Sequence, residues 1–114
     1  MTILTVSNSL NVLSDLNGLL TKIYPDAEII REIDPLMAGK YSFRNAVDMV
    51  FADVNMKRMT GLQLIQFIKR EHAHVLAYLV GTVEEIDDSL AMTTSDDITG
   101  TIVYPFTEDT FLRI

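Results

Sequence analysis

The stretch Val47-Asp48-Met49-Val50-Phe51-Ala52-Asp53-Val54-Asn55-Met56-Lys57-Arg58-Met59-Thr60-Gly61 decides the fold of this 114-residue chain. An apolar run ends in a single carboxylate at Asp53, a short loop follows, and a helical pattern begins at Gly61. A carboxylate at the end of a buried strand costs free energy unless it is paired. A residue that is retained at such a cost is a candidate for a functional role. In open α/β sheets this end of a strand is also where ligands bind. Asp53 is therefore the first candidate functional residue.

Composition and charge narrow the classes of protein to which the chain can belong. The hydrophobic fraction is 48%, which supplies a core for a single domain spanning residues 1–114. No apolar run approaches the ~20 residues that cross a bilayer, and the N-terminus has no signal-peptide pattern. A net charge of −7 argues against direct contact with nucleic acid, and the lack of cysteine excludes disulfides and thiolate sites. We expect a cytoplasmic domain that contacts neither membrane nor nucleic acid.

Short apolar segments alternate with helical patterns along the whole chain. Strands are predicted at residues 3–6, 27–32, 49–53, 75–80 and 100–103. Helices are predicted at 10–23 and 34–44 and after Thr60, Thr82 and Thr107. Near-continuous apolar strands separated by helices favour a three-layer, doubly wound α/β fold with a parallel sheet. Right-handed crossovers then bring one set of polar and turn residues to the same edge of the sheet: Ser7, Asn8, Asp53, Gly81, Thr82 and Tyr104.

The third and fourth predicted helices each open with a capping box, Thr60 with Gln63 and Thr82 with Glu85. In the third helix, four apolar side chains are predicted to face the core: Leu62, Leu64, Ile65 and Ile68. His72 and His74 lie at the end of this helix, and no third metal ligand lies nearby. A metal site is therefore not favoured, and positive charge near the helix C-terminus is the simpler interpretation of this pair. Lys57 and Arg58 are predicted to be solvated, although they are also placed to attract an anion.

The order of these elements and the residues at the strand ends resemble the receiver domain of two-component response regulators. The resemblance spans about residues 2–113, and its most specific part is Asp-x-x-Met-x-x-Met-x-Gly at 53–61. Thr82 after the fourth strand and Pro105-Phe106 after the fifth also match. The resemblance implies a flavodoxin-like sheet in 2-1-3-4-5 order. It also implies a bacterial phosphorelay protein whose Asp53 accepts a phosphoryl group, with Thr82 and Tyr104 beside that group.

The same resemblance implies a set of partners. A histidine kinase or phosphotransfer protein would supply the phosphoryl group, and a homodimer is one arrangement that it allows. The last apolar-periodic segment is only beginning at Ile114, so we expect an output domain after it in a longer response regulator. The resemblance implies a signalling domain rather than an enzyme, at most one that promotes its own phosphorylation.

Several residues around Asp53 depart from the family pattern. Ser7 and Asn8 stand where the family has two acids, and Tyr104 replaces a lysine. Mg²⁺ prefers carboxylate oxygens, so the site that the resemblance implies, at Asp53 and the backbone oxygen of Asn55, is predicted to be weak. Tyr104 can donate a hydrogen bond but adds no positive charge. The predicted pocket, completed by a cis Tyr104–Pro105 peptide and Pro105 itself, is thus degenerate.

Two other functions fit the residues. A pseudo-receiver that binds a partner or a second copy without phosphoryl chemistry explains Ser7, Asn8 and Tyr104 more directly. A small flavodoxin-like ligand-binding module needs a phosphate-binding loop after the first strand, and residues 6–10 contain no glycine. Helix capping alone also explains Thr82 and the run from Ser7 to Ser9.

Overall fold

A computed structural model describes residues 1–91, 96–107 and 109–110 of the chain. Strands and helices alternate in these ranges, in the order β1 (Thr2–Val6), α1 (Leu10–Ile23), β2 (Glu28–Glu32), α2 (Pro35–Arg44), β3 (Met49–Asp53), α3 (Gly61–Glu71), β4 (Leu76–Gly81), α4 (Val83–Ala91) and β5 (Gly100–Val103). The predicted elements up to β5 are confirmed, with ends that shift by about one residue. Most of the helix predicted after Thr107 lies outside the described residues.

The five strands form one parallel sheet in the order β2-β1-β3-β4-β5, which is the predicted order. Val6 of β1 pairs with Ala52 of β3, and Asp53 pairs with Val80 of β4. The end of β3 therefore lies between the ends of β1 and β4. This register brings Asp53 to the same edge as Ser7, which follows β1, and Thr82, which follows β4.

Apolar clusters cover both faces of the sheet. On one face, α2, α3 and α4 cover β-strand residues with the side chains Ala38, Leu64, Ile65, Ile68 and Ile86. On the other face, Leu16 and Leu20 of α1 pack near Phe51, whose ring stacks on Tyr78 at 4.8 Å. Burial on both faces is the reason that the inner strands β1, β3 and β4 are mostly apolar, whereas the edge strand β2 carries Glu28, Arg31 and Glu32.

The helices begin at the predicted caps. Ser9 accepts a hydrogen bond from the Val12 backbone N–H at the start of α1, and Asp34 accepts one from Leu36 at the start of α2. Satisfying these exposed N–H groups stabilises each helix start. No helix in the described ranges combines the length and the apolar character that crossing a bilayer requires.

The prediction for Leu62 is wrong in part. Leu64, Ile65 and Ile68 are fully buried, whereas Leu62 is only partly buried. Leu62 precedes Leu64 by two residues, which is about 200° around the helix, so the two cannot share the centre of one face.

α2 and α3 pack closely side by side. A Cβ placed on Gly39 of α2 would lie 3.3 Å from the ring of Phe67 on α3, so the missing side chain permits the close approach. At the other end of the pair, His72 caps α3 and contacts the Ser42 carbonyl oxygen through Nε2 at 2.5 Å. The C-terminal ends of the two helices are therefore joined by this hydrogen bond.

Candidate functional site

Two hydrogen bonds orient the partly buried carboxylate of Asp53. The Ser7 hydroxyl donates to Oδ2 at 2.7 Å, and the Asn55 backbone N–H donates to Oδ1 at 3.3 Å. Burial raises the pKa of Asp53 above its ordinary value, the two hydrogen bonds oppose that rise, and the charge of Glu85 adds to it. The site thus contains an oriented carboxylate whose negative charge is only partly compensated.

Gly61 fixes the loop that follows Asp53. A Cβ on Gly61 would collide with the backbone carbonyl oxygen of Asp53 and would lie 2.9 Å from its carbonyl carbon. The Gly61 N–H also donates to the Val54 carbonyl at 3.1 Å. Glycine is needed here because two backbone segments approach closely, and this approach holds the end of β3 against the start of α3.

The two cations of the same loop differ in their contacts. Arg58 has a positive φ of 74° and forms an ion pair with Asp34 at 3.5 Å, but its side chain is 65% exposed and is therefore solvated, as predicted. Lys57 is exposed, as predicted, and contributes its backbone N–H to the site. Arg58 is therefore engaged with α2 rather than aimed at Asp53.

Ser7 and Asn8 are both engaged with protein groups. Ser7 is buried and accepts a hydrogen bond from the Ser9 N–H at 3.0 Å while it donates to Asp53. The Asn8 amide oxygen accepts from the Lys57 N–H at 2.6 Å, and its nitrogen donates to the Ile33 carbonyl at 2.7 Å. Asn8 therefore joins the loops after β2 and β3, whereas Ser9 alone provides the N-cap of α1.

Glu85 belongs to the site, although it was predicted only as part of a capping box. Its Oε1 accepts from the Thr82 N–H at 2.9 Å, and its own N–H donates to Thr82 Oγ1 at 3.2 Å. Its Oε2 accepts from the Asn55 side chain at 2.7 Å. The Thr82 N–H, followed by Asn55, lowers the pKa of Glu85. Glu85 thus joins the β3 loop to α4. Two features of the sequence point to this role: the capping-box spacing from Thr82, and the position of this box directly after β4, the strand next to β3.

Tyr104 contacts α1 instead of Asp53 in the part of the chain that the structure describes. Its hydroxyl donates to Asp15 at 3.4 Å, and its ring packs edge-on against Phe106 with the centroids 5.1 Å apart. The Tyr104–Pro105 peptide is cis, as the resemblance implies, and Pro105 is exposed. Hydrogen bonds therefore link Asp53 directly to Ser7 and Asn55 and connect Thr82 to them only through Glu85, whereas Tyr104 is linked to another helix.

The donors around Asp53 do not fit a tightly bound Mg²⁺. This ion demands near-octahedral oxygen geometry and is usually held by one or two carboxylates. Both Asp53 oxygens accept hydrogen bonds, the Asn8 amide is bonded at both ends, and Glu85 is bonded to Thr82 and Asn55. Among the described residues, no group of three or more His, Cys, Asp or Glu side chains could hold a metal ion.

Two curated proteins are similar to the chain in sequence. It is 37% identical over 68 residues, 60% of its length, to stress response regulator protein 1 of Lodderomyces elongisporus. It is 31% identical over 68 residues to a protein with the same name from Candida tropicalis. The matched segments cover only 19% and 26% of those proteins. No protein-family model matches the chain.

Solved structures identify the fold. The signal receiver domain of an HD domain-containing protein from Pseudomonas fluorescens superposes with a TM-score of 0.80 at 18% identity, covering 98% of this chain and 81% of that one. The chemotaxis protein CheY4 of Vibrio cholerae gives 0.76 at 21% identity, covering 98% and 92%. The chain thus has the fold of response regulator receiver domains. The sequence relatives come from yeasts, so the bacterial origin that the resemblance implies is not confirmed.

Proposed function

We propose that this chain acts as a receiver domain in a signalling protein and that Asp53 is its phosphoacceptor. The observation that carries the proposal is the position of Asp53, an oriented carboxylate at the end of the central strand next to the start of α4. The receiver fold and the names of the sequence relatives support the same function. The proposed donor is a histidine kinase or phosphotransfer protein, and the proposed location is the cytoplasm.

The proposed reaction is a transfer from a phosphohistidine to Asp53. A carboxylate oxygen attacks phosphorus, the P–O bond forms as the P–N bond breaks, and the imidazole leaves with the bonding electron pair and takes up a proton. Oδ1 is the better nucleophile of the two oxygens, because its hydrogen bond is 3.3 Å long and that of Oδ2 is 2.7 Å. Only the ionised carboxylate attacks, so the raised pKa of Asp53 slows the transfer in acid.

Thr82 is the proposed signalling residue. Its oxygen accepts from the Glu85 N–H, and its hydroxyl also hydrogen-bonds the Glu85 carboxylate, so a phosphoryl oxygen would compete with Glu85 for the hydroxyl proton. A phosphoryl group also adds negative charge near Glu85, and repulsion between the two favours loss of the bond between Glu85 and Asn55. We expect phosphorylation to release the start of α4 from the β3 loop.

A small phosphodonor tests the proposal. The purified chain is incubated with acetyl phosphate, or with beryllofluoride as a mimic, with and without Mg²⁺, and followed by intact-mass and amide NMR spectra. We expect the wild-type chain to gain the mass of one phosphoryl group and Asp53→Asn to gain none. The double variant Ser7→Asp/Asn8→Asp restores two carboxylates and should react faster, with a stronger dependence on Mg²⁺. An unchanged mass and unchanged amide shifts near Asp53 in the wild-type chain would contradict the proposal.

A phosphorylation-independent pseudo-receiver is the second candidate. It is favoured by the contacts of Asn8 and Tyr104, which bind neighbouring protein groups at positions where the family has an acid and a lysine. In that case partner binding or dimerisation would be the same for the wild-type chain and Asp53→Asn. The flavodoxin-like ligand module, by contrast, gains no specific support from the geometry of the described residues.

A further inference from the structure

α2 carries a second, exposed face in addition to the face that packs on the sheet. Leu36, Lys40, Phe43 and Arg44 recur at helical spacing and are all exposed. Phe43 is 67% exposed and Leu36 is 41% exposed. Leaving a large aromatic side chain in water forgoes the free energy of its burial, and clustered exposed apolar side chains mark interaction sites.

An open groove of about 340 Å³ lies between this face and α3. Gly39 and Phe67 line it, and their contact is close because Gly39 has no side chain. Phe43 and Met59 also line the groove. Pockets for small molecules start at about 300 Å³, so this groove is at the small end of that range and also has room for one or two large side chains of a partner.

The charged side chains of the groove are all cations. Lys40 and Arg44 line it, whereas no Asp or Glu does. This local excess is opposite to the balance of the whole chain, which has 16 acidic and 9 basic residues. The nearby Asp34 is paired with Arg58 and caps α2. The groove is therefore complementary to an apolar segment that carries negative charge.

We propose that the α2–α3 groove binds an acidic amphipathic helix of a partner protein. Apolar side chains one turn apart on such a helix would cover Phe43 and Phe67. Its Asp or Glu side chains would pair with Lys40 and Arg44. This interaction does not depend on phosphoryl transfer at Asp53, which lies at the edge of the sheet and does not line the groove.

A designed peptide tests the groove directly. The probe is a synthetic helical peptide with leucine and phenylalanine at i and i+4 and glutamates on both flanks, titrated into the ¹⁵N-labelled full chain. We expect amide shifts concentrated in residues 35–44 and 59–67. Phe43→Ser should weaken binding about thirtyfold, as expected for a central aromatic anchor. Lys40→Glu/Arg44→Glu should weaken it about tenfold or more, and added salt should weaken it as well.

Controls separate this site from general charge effects and from misfolding. Lys22→Glu makes the same type of charge change on α1 and should bind the peptide like the wild-type chain. A peptide with lysine in place of glutamate should bind far more weakly. Asp53→Asn should bind normally, so a failure of phosphorylation and a failure of this proposal are distinguishable. Circular dichroism checks that each variant is folded.

Three results would overturn the proposal. The first is wild-type affinity in the charge-reversed variant, and the second is a set of shifts that maps outside the groove. The third is a concentration-dependent dimer in sedimentation velocity that Phe43→Ser abolishes, because the groove would then be occupied by a second copy of the chain.

Discussion

The starts of α3 and α4 contain the same capping box in two different settings. Thr60 and Gln63 exchange hydrogen bonds at 3.0 and 3.2 Å, and Thr82 and Glu85 do so at 2.9 and 3.2 Å. The residue after the first threonine is Gly61, which touches the backbone of Asp53, whereas the residue after the second is Val83, which is 55% exposed. Packing therefore fixes α3, while α4 is linked to the loop by a charged side chain. We therefore expect α4 rather than α3 to respond to a change at Asp53.

The largest effect is expected when the packed helix start is disturbed. Gly61→Ala should lower the free energy of unfolding by about 2 kcal/mol or more, because the new methyl group meets backbone that cannot move away cheaply. Val83→Ala at the equivalent position of α4 should change it by less than about 0.5 kcal/mol. Urea unfolding measures both values. Equal losses in the two variants would refute the difference between the helix starts.

Loss of either cap is expected to have an intermediate effect. Thr60→Ala and Thr82→Ala should each reduce the free energy of unfolding by about 1 kcal/mol, because each leaves a helix N–H without its acceptor. Amide hydrogen exchange should become faster at the start of α4 in Thr82→Ala alone. Serine at either position keeps the oxygen and should restore most of the stability. If the amides at the start of α4 exchanged equally fast in both alanine variants, the two capping boxes would not stabilise their helices independently.

A smaller effect, which depends on pH, is expected at Asp53. Its pKa is raised in the folded state, so its contribution to stability is complete below the pKa of the unfolded chain and is lost as the pH rises through the folded pKa. Asp53→Asn should therefore be more stable than the wild-type chain at neutral pH. The gain should stay below about 1 kcal/mol, because the carboxylate is partly exposed, and it should disappear in acid. Asp87→Asn, on the exposed surface of α4, is the matched control for the loss of one negative charge.

The smallest effect is expected at Glu85. Its pKa is lowered, so it stabilises the fold above its unfolded pKa, and that contribution is lost as the pH falls through the folded pKa. Glu85→Gln should cost a few tenths of a kcal/mol at neutral pH, since this side chain is partly exposed. It should also lower the pKa of Asp53, because the charge of Glu85 raises it. Carboxyl ¹³C titration of Asp53 measures this shift. Gln63→Glu, which changes the charge at the corresponding position of the α3 capping box, is the matched control. An unchanged titration of Asp53 in Glu85→Gln would show that the two carboxylates are not coupled.

The sequence predicts the parts of this molecule that depend on local rules. Apolar periodicity and caps predict each strand and helix up to β5, and the alternation of elements predicts that Ser7, Asp53 and Thr82 meet at one edge. These features depend on residues that are close in the chain or on the handedness of crossovers. They required no knowledge of side-chain conformation.

Contacts between distant side chains could not be predicted in this way. Asn55 and Glu85 are separated by 30 positions, and Tyr104 and Asp15 by 89. Whether such pairs meet depends on rotamers and on the exact spacing of loops, which the hydrophobic pattern does not encode. The exposed face of α2 was missed for a different reason, since its four residues look like an ordinary solvated surface until α3 is seen beside them.

The hydrogen bond between His72 and Ser42 ties together the C-terminal ends of the two helices that form the α2–α3 groove. A carbonyl oxygen can only accept, so the imidazole must carry a proton on Nε2. A side chain at position 72 without a ring N–H would lose this clasp between the helices.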